Sequence, residues 1–381
     1  MKIAIIGLGY VGKSIAQAAV GAGHSVVGFD VNHEVIAIIK IPGDFKGTND
    51  AALISNADII VIAVPTPLDA LRKPDLSPIN AACKSIIDNV KKPVLVINES
   101  TSYPGTLRNE IATVIEKACG LGHLYASSPE RVDPGNEKWT QKNTPRLIGG
   151  LTPEATILAH NFYSSFCDEI IEVSSPEVAE AAKLFENTFR QVNIALVNEF
   201  AQISNALDIP TREVLDAAAT KPFGFMSFQP GPGVGGHCIP VDPSYLAYVA
   251  ENVGIPAGFI RRANQVNLGM PAYVVSRVAK DIGSLKGKNV VVIGVSYKAN
   301  VSDTREAPAA LVMEELKKQG AEVSWHDSVV GTWNGQSSSE LKGFDIAIVV
   351  TKHDAVSEAV IKASASYVFD CTGSVKGVAG L

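Results

Sequence analysis

The chain reads as an α/β protein, with two doubly wound domains joined by a long central helix and a helical core. Three observations predict this. Short β-branched runs alternate with helix-length segments at both ends of the chain. Between them, residues 177–207 contain no Gly or Pro and repeat apolar side chains at three- and four-residue steps. The length, 381 residues, suits two or three domains of about 100–200 residues each.

The first run, KIAIIG at 2–7, predicts a strand ending in glycine, followed by a helix over 11–22. Further strands are predicted at 25–30 (SVVGFD), 58–64 (DIIVIAV) and 93–98 (PVLVIN). Strands separated by helices imply a parallel sheet covered on both faces. The long helix starts at Ser175–Pro176, a hydroxyl cap followed by a first-turn proline. At 1.5 Å per residue it spans roughly 45 Å, which suits a connector shared by two domains or two subunits. More helix is predicted over 211–219 and 242–252. The strand–helix rhythm then returns, with strands at 289–294, 322–325, 345–350 and 367–370 and helices over 306–319 and 355–363. The expected division is residues 1–175, 176–280 and 281–381.

Composition narrows the function. With 46% hydrophobic and 19% charged residues the chain is expected to fold around a sizeable core. No apolar run reaches the roughly 18 residues of a membrane span, and the N-terminus lacks the pattern of a secretory signal. Thirty-three Lys+Arg against 39 Asp+Glu give −6 with no basic block, so neither nucleic acid nor membrane is an expected partner. Five scattered cysteines without CxxC spacing argue against a disulfide framework or a metal site. A reduced, cytoplasmic protein is expected.

Gly7, Gly9 and Gly12 form GxGxxG directly after the first strand and at the start of a helix. There the glycines allow a tight turn, close approach of a pyrophosphate and close helix packing, as in a Rossmann-like domain. The helix N-terminus favours phosphate. Asp30, ending the second strand, is placed to take ribose hydroxyls and would repel a 2′-phosphate, so NAD is expected over NADP. The C-terminal domain has no GxGxxG; its first strand runs into GVSYK. Lys298 and Arg305 near that strand end suggest phosphate binding, with plain surface charge as the alternative.

The segment GPGVGGHCIPVDP, 231–243, cannot be regular helix or strand. It presents Cys238 on a loop, with His237 before it and Asp242 after it. A free cysteine is usually a small buried apolar group. That reading suits Cys83, Cys119 and Cys167 in helix-like segments; Cys238 reads better as a nucleophile. A thiol nucleophile beside NAD suggests oxidation through an aldehyde. Lys183, Asn187 and Arg190 share one face of the long helix, with an exposed charged face as the alternative. Glu130, in SSPERVDPG, and Thr101, in NESTSYPGT, follow predicted strands, where open α/β sheets place ligands.

Together these segments resemble the UDP-glucose/GDP-mannose dehydrogenase family over nearly the whole chain: GLGYVG, VPTP at 64–67, EST…PGT at 99–106, SPE at 128–130, AKLFENTFR at 182–190, the Cys238 loop, and YKANVSDTRE at 297–306. The resemblance implies a four-electron oxidation of a nucleotide-sugar 6-hydroxyl to a carboxylate with NAD, and a homodimer built on the central helix. It implies Cys238 as nucleophile, Lys183 and Asn187 as oxyanion stabilisers, and Asp242 and Thr101 as positioners of water. Glu130 would be general acid/base in thioester hydrolysis. Gly7, Gly9, Tyr10, Val11, Gly12, Asp30, Thr66, Thr101 and Arg305 would hold NAD, Arg305 from across the interdomain cleft. Arg131, Val132, Lys183, Asn187, Arg190, Phe228, Gly235, Tyr297 and Lys298 would line the UDP-sugar site, and Lys221 would reach substrate held by a partner subunit.

His-Cys at 237–238, Ile-Pro-Val-Asp after it, SPERVDPG and TKPFGF resemble the branch acting on UDP-N-acetylhexosamines, and SPERVDPG favours UDP-N-acetylglucosamine. UDP-N-acetylmannosamine, UDP-glucose and GDP-mannose are the alternatives; a two-electron 3-hydroxyacid-type dehydrogenase or a nucleotide-sugar-binding sensor are alternatives of other classes. The chain departs from the family in short segments between Asp30 and Asp58 and between Trp325 and Phe344. The first is expected to alter the adenosine side of the NAD site.

Overall fold

The computed structural model describes residues 1–381 except 133–135, 137 and 237, so His237, singled out beside the thiol, lies outside the described residues. The chain divides into two compact units. The first comprises Met1–Glu186 and Ser244–Ile255, and the second Asn187–Pro243 and Pro256–Leu381.

The first unit holds β1 (Lys2–Ile6), β2 (Ser25–Phe29), β3 (Phe45–Thr48), β4 (Ile59–Ile62), β5 (Leu95–Asn98), β6 (Leu124–Ser127), β7 (Arg146–Gly150) and β8 (Ile170–Glu172). Their order is β3-β2-β1-β4-β5-β6-β7-β8. Alternate residues of β1 face opposite sides, as the strand period of two requires. Ile3 and Ile5 pack with Ile15 and Ala19 of α1 (Tyr10–Gly21) and with Phe162, whereas Ala4 and Ile6 share the opposite core with Ile79, Ile86 and Ile111. Burying each such isoleucine is worth about 1.5–3 kcal/mol. Both faces are therefore covered by α2 (His33–Ile38), α3 (Ser77–Asn89), α4 (Thr113–Cys119) and α5 (Pro153–Tyr163) as well as α1. The all-parallel expectation needs correction at one end of the sheet: β7 runs antiparallel to β6, and β8, paired parallel with β7, shares its reversed direction.

The stretch after β2, expected to be short, carries a brief helix and one strand. α2 has six residues, capped where the Asn32 side chain accepts the Glu34 N–H at 2.9 Å. Ile38, its last residue, is 78% exposed. After β5 the chain forms a π-helical turn, Thr106–Ala112. Buried Glu180 secures its start, accepting N–H groups of Gly105 at 2.7 Å and Leu107 at 2.9 Å.

The long helix, α6 (Pro176–Ala206), has 31 residues, a length of about 46 Å. α7 (Thr211–Ala219), α8 (Asp242–Asn252) and α9 (Gly258–Ile282) follow. α9 has no counterpart among the predicted helices, because Gly258, Gly269 and the interior Pro271 break its pattern. Across α6 and α9 an amide ladder forms: Asn198 Nδ2 donates to Asn267 Oδ1 at 3.0 Å, Asn267 Nδ2 to Gln191 O at 3.2 Å, and Gln191 to Asn264.

The C-terminal sheet contains β9 (Asn289–Ile293), β10 (Glu322–His326), β13 (Phe344–Val349), β14 (Ala365–Asp370) and β15 (Ala379–Gly380) in the order β10-β9-β13-β14-β15. All its pairings are parallel. α10 (Pro308–Lys318) and α11 (Glu358–Ser364) connect its strands, and the stretch before β13 holds a two-residue-per-strand hairpin, β11 (Thr332–Trp333) and β12 (Gln336–Ser337). The order reverses between β9 and β13, which is where such sheets place ligands.

Candidate active site

The candidate dinucleotide cradle, Gly7–Gly12, lies in the first unit. Gly7 has φ +93, and a Cβ there would fall 2.5 Å from the Ala63 carbonyl oxygen. A Cβ on Gly12 would fall 1.9 Å from Gly7 O, so helix and strand end pack directly. Gly9 differs: nothing lies within 4 Å of a Cβ built there. The fold does not need that glycine, and the open space beside it suits the expected approach of a pyrophosphate. No side chain caps α1, which leaves its positive end to an anion. Asp30 is tied to the same turn, accepting the Leu8 N–H at 2.7 Å and the Asn32 N–H at 2.8 Å. These residues fit NAD. Gly9→Ala should leave the apoprotein's melting temperature within about 1 °C, since nothing is overlapped, while raising the KM for NAD about tenfold or more. Equal loss of stability and affinity would refute that division of roles.

Thr66 is buried after β4 and Thr101 half-buried after β5. Beside Thr101, Ser100 Oγ donates to Val64 O at 2.8 Å, tying the two strand-end loops together.

Under these loops lies a buried ionic network that the sequence reading did not single out. Arg146 of β7 donates to Glu99 Oε1 at 2.6 Å, to Glu130 Oε2 at 3.4 Å and to Gln141 at 2.5 Å. Tyr163 also donates to Glu99 Oε1. Glu130 is enclosed by donors: its Oε1 accepts the Arg131 and Val132 N–H groups at 2.7 and 2.6 Å, and its Oε2 accepts from Gln141 at 2.5 Å. One guanidinium thus serves two buried carboxylates. Burial pushes Glu99 up to about 7, with Arg146 opposing and Glu130 reinforcing. For Glu130 burial acts in the same direction, but Arg146, Gln141, the Val132 N–H and Lys183 together hold it below the ordinary carboxylate range. An ionised carboxylate is the form that takes a proton, which suits the first half of the acid/base role expected of Glu130.

Glu99 makes stability pH-dependent. Its folded pKa is raised, so the folded state holds the extra proton between about 4.5 and 7, and its contribution is lost as pH rises through that window. Glu99→Gln keeps a carbonyl acceptor for Arg146 and Tyr163. It should flatten this fall in urea titrations from pH 5 to 8; an unchanged slope would place the titration elsewhere.

In the second unit, Cys238 is exposed, whereas Cys83, Cys167 and Cys371 are buried. Cys238 O accepts the Asp242 N–H at 2.8 Å and the Val241 N–H at 3.1 Å. Asp242, itself 2% exposed, accepts from Asn187 Nδ2 at 2.5 Å. The glycines before the thiol have an intramolecular reason. A Cβ on Gly235 would lie 2.8 Å from Tyr297 Cβ, and one on Gly236 would lie 3.0 Å from the Tyr297 ring. Gly236 also donates to Arg305 O at 3.1 Å. The Arg305 side chain is bound by Asp303 at 2.5 Å and lies within electrostatic reach of the Cys238 sulfur and Tyr297. The amide ladder reaches this loop as well, since Gly231 N donates to Asn198 Oδ1 at 2.9 Å.

Of the remaining expected residues, Lys183 is buried and within electrostatic reach of Glu130. Arg131 is held by Glu186 at 2.8 Å. Arg190 and Lys221 are exposed, Phe228 packs against Phe189 with ring centroids 6.1 Å apart, and Lys298 is half-buried. The missed group, Glu99, Gln141, Arg146 and Tyr163, comes from four separate segments. Its one local signal is an arginine opening an apolar strand, RLIGG. Among the described residues no cluster of three or more His, Cys, Asp or Glu could hold a metal ion, and no helix is long and apolar enough to cross a membrane.

Comparison with known proteins agrees with this arrangement. Residues 34–167 match the NAD binding domain of the UDP-glucose/GDP-mannose dehydrogenase family, 177–268 its central domain, and 291–377 its UDP binding domain. Protein CapL of Staphylococcus aureus is 39% identical over 86% of this chain and 82% of its own. The UDP-N-acetyl-D-glucosamine 6-dehydrogenase of Pseudomonas aeruginosa is 38% identical over the same shares. A solved UDP-D-ManNAc dehydrogenase from Pyrococcus horikoshii superposes with a TM-score of 0.90 at 31% identity, covering 100% of this chain and 99% of that one. With all three of that family's domains matched in order along it, the chain belongs to the UDP-glucose/GDP-mannose dehydrogenase family and is an NAD-dependent nucleotide-sugar dehydrogenase.

Proposed function

We propose that this dehydrogenase oxidises the 6-hydroxyl of UDP-N-acetylglucosamine to the carboxylate, through a thiohemiacetal and a thioester on Cys238. The observation that carries the reading is Cys238 itself: an exposed thiol on a non-helical loop, within electrostatic reach of the Arg305 guanidinium. Bound in the Gly7–Gly12 cradle with Asp30 and Thr66, NAD supplies the electron acceptor for both oxidations. The Cys238 sulfur adds to the C6 aldehyde, forming a C–S bond and placing negative charge on oxygen. Lys183 and Asn187 stabilise that oxygen. After the second oxidation the C6–S bond is a thioester. Glu130, held ionised by Arg146, takes a proton from water as its oxygen adds to C6, and the C–S bond breaks to return the thiolate. Asp242 and Thr101 position that water. Tyr297 and Lys298 hold the uridine diphosphate, and the backbone at Arg131–Val132, fixed by Glu130, lines the sugar site.

The division into residues 1–175, 176–280 and 281–381 remains our reading of the domains. A homodimer through α6 accords with its exposed Phe185, Phe189, Leu196 and Ile203.

A second reading, UDP-N-acetylmannosamine, is favoured by the likeness to the Pyrococcus protein over the full chain. Assays of NADH absorbance with UDP-N-acetylglucosamine, UDP-N-acetylmannosamine, UDP-glucose and GDP-mannose separate the readings. The expected result is two NADH per UDP-N-acetylglucosamine consumed, with kcat/KM about tenfold or more above the others, the scale one well-placed polar contact supplies. A higher value for UDP-N-acetylmannosamine would reverse the sugar assignment.

A further inference from the structure

Three loops of the C-terminal sheet converge on one imidazole. His353, four residues after β13, is 1% exposed. Its Nδ1 accepts the Asn300 N–H at 2.8 Å. Its Nε2 lies 3.0 Å from Asp327 Oδ2 and 3.2 Å from Ser296 Oγ. A nitrogen that accepts a backbone N–H carries no proton, so the ring proton sits on Nε2 and is donated to Asp327. Asp327, just after β10, also accepts the Val295 and Ser296 N–H groups at 2.8 and 3.2 Å. Ser296 Oγ spends its own hydrogen on Lys298 O at 3.0 Å, and Thr351 Oγ1 donates to Ser296 O at 2.8 Å. Asn300, at φ +63, is clamped by paired bonds with Asp354 at 2.8 and 3.1 Å.

Serine, histidine and aspartate together invite comparison with a hydrolytic triad. The geometry rules that out. In a triad the acid and the hydroxyl occupy opposite ring nitrogens; here both face Nε2, and all three side chains are at most 4% exposed. What the imidazole does instead is define the backbone of residues 295–300. That stretch presents Tyr297 and Lys298, and Tyr297 in turn backs Gly235 and Gly236 of the Cys238 loop.

We infer that His353 is a positioning residue for substrate binding: by fastening the loops after β9, β10 and β13 it sets the pose of Tyr297 and Lys298 toward the nucleotide diphosphate. The inference rests on the assignment of Tyr297 and Lys298 to the UDP moiety. His353→Ala releases the Asn300 N–H and the Asp327 carboxylate. It should weaken UDP binding in calorimetry, and raise the KM for the nucleotide sugar, by about tenfold or more, with kcat within about threefold and the KM for NAD unchanged. Such a pattern marks lost uniform binding. His353→Gln, which keeps an amide able to donate near Nε2, should recover part of the loss. A purely structural role would lower kcat and affect both substrates alike.

Lys298→Ala is the control. If it leaves UDP affinity intact, the nucleotide assignment of the loop fails. If it weakens UDP while His353→Ala and His353→Gln do not, the assignment stands and the role of His353 is overturned. Should His353→Ala not fold, Ser296→Ala, which cuts the hydroxyl tie to Lys298 O, gives the same reading: unchanged UDP affinity in Ser296→Ala and His353→Gln together overturns the inference.

Discussion

Cys238→Ser is expected to lower steady-state NADH production by about 1,000-fold or more, the usual scale for losing an activated nucleophile, while leaving the folded protein as stable as before. The two halves have different causes. The thiol is exposed, so its replacement opens no cavity. Its chemistry has no substitute, because a serine hydroxyl is far harder to ionise at neutral pH and an oxygen ester hydrolyses more slowly than a thioester. Turnover should stall after aldehyde formation or leave an ester on residue 238, visible as added mass on the intact protein. The other cysteines supply the contrast. Burial pushes the Cys83 thiol up to about 12 and raises Cys167 and Cys371 as well. Buried, protonated thiols do not attack carbonyls, so Cys83→Ser should alter stability and spare the rate of chemistry. Normal turnover by Cys238→Ser would remove the sulfur from the mechanism.

Arg146→Met carries the largest expected cost in stability, about 3–5 kcal/mol near pH 8, the range for deleting one partner of a buried ion pair. It strands Glu99 and Glu130, which are 0% and 6% exposed, with no guanidinium between them. The cost should shrink toward pH 5. Without Arg146 both carboxyl groups hold their protons more tightly, and protonation removes the buried charge. Urea titrations at pH 5 and pH 8 test this directly. Activity should fall further than stability explains, since Glu130 orders the Arg131 and Val132 N–H groups and is the proposed base. If the variant is equally stable at both pH values, the Glu99–Arg146–Glu130 network does not organise this region. Restoration by Glu99→Gln in the double variant would be partial, because Glu130 would still lack its partner.

Local pattern was enough for the architecture. Short β-branched runs located β1, β2, β4, β5, β9, β10, β13 and β14, and three- and four-residue steps located α6, because those features depend on residues close together in the chain. The same holds for Cys238, whose glycine- and proline-rich surroundings forbid regular structure whatever the rest of the molecule does. α9 escaped because packing tolerates Gly269 and Pro271 inside a helix that local propensity disfavours. The reversed direction of β7 and β8 escaped because direction is a property of strand pairing. The Glu99–Arg146–Glu130 network and the Asp327–His353–Ser296 junction were invisible for one shared reason. Each joins charged or polar side chains separated by 16 to 57 residues, and only burial turns such ordinary residues into strong, directed interactions, since the low dielectric that makes them strong exists only once the sheets have closed over them.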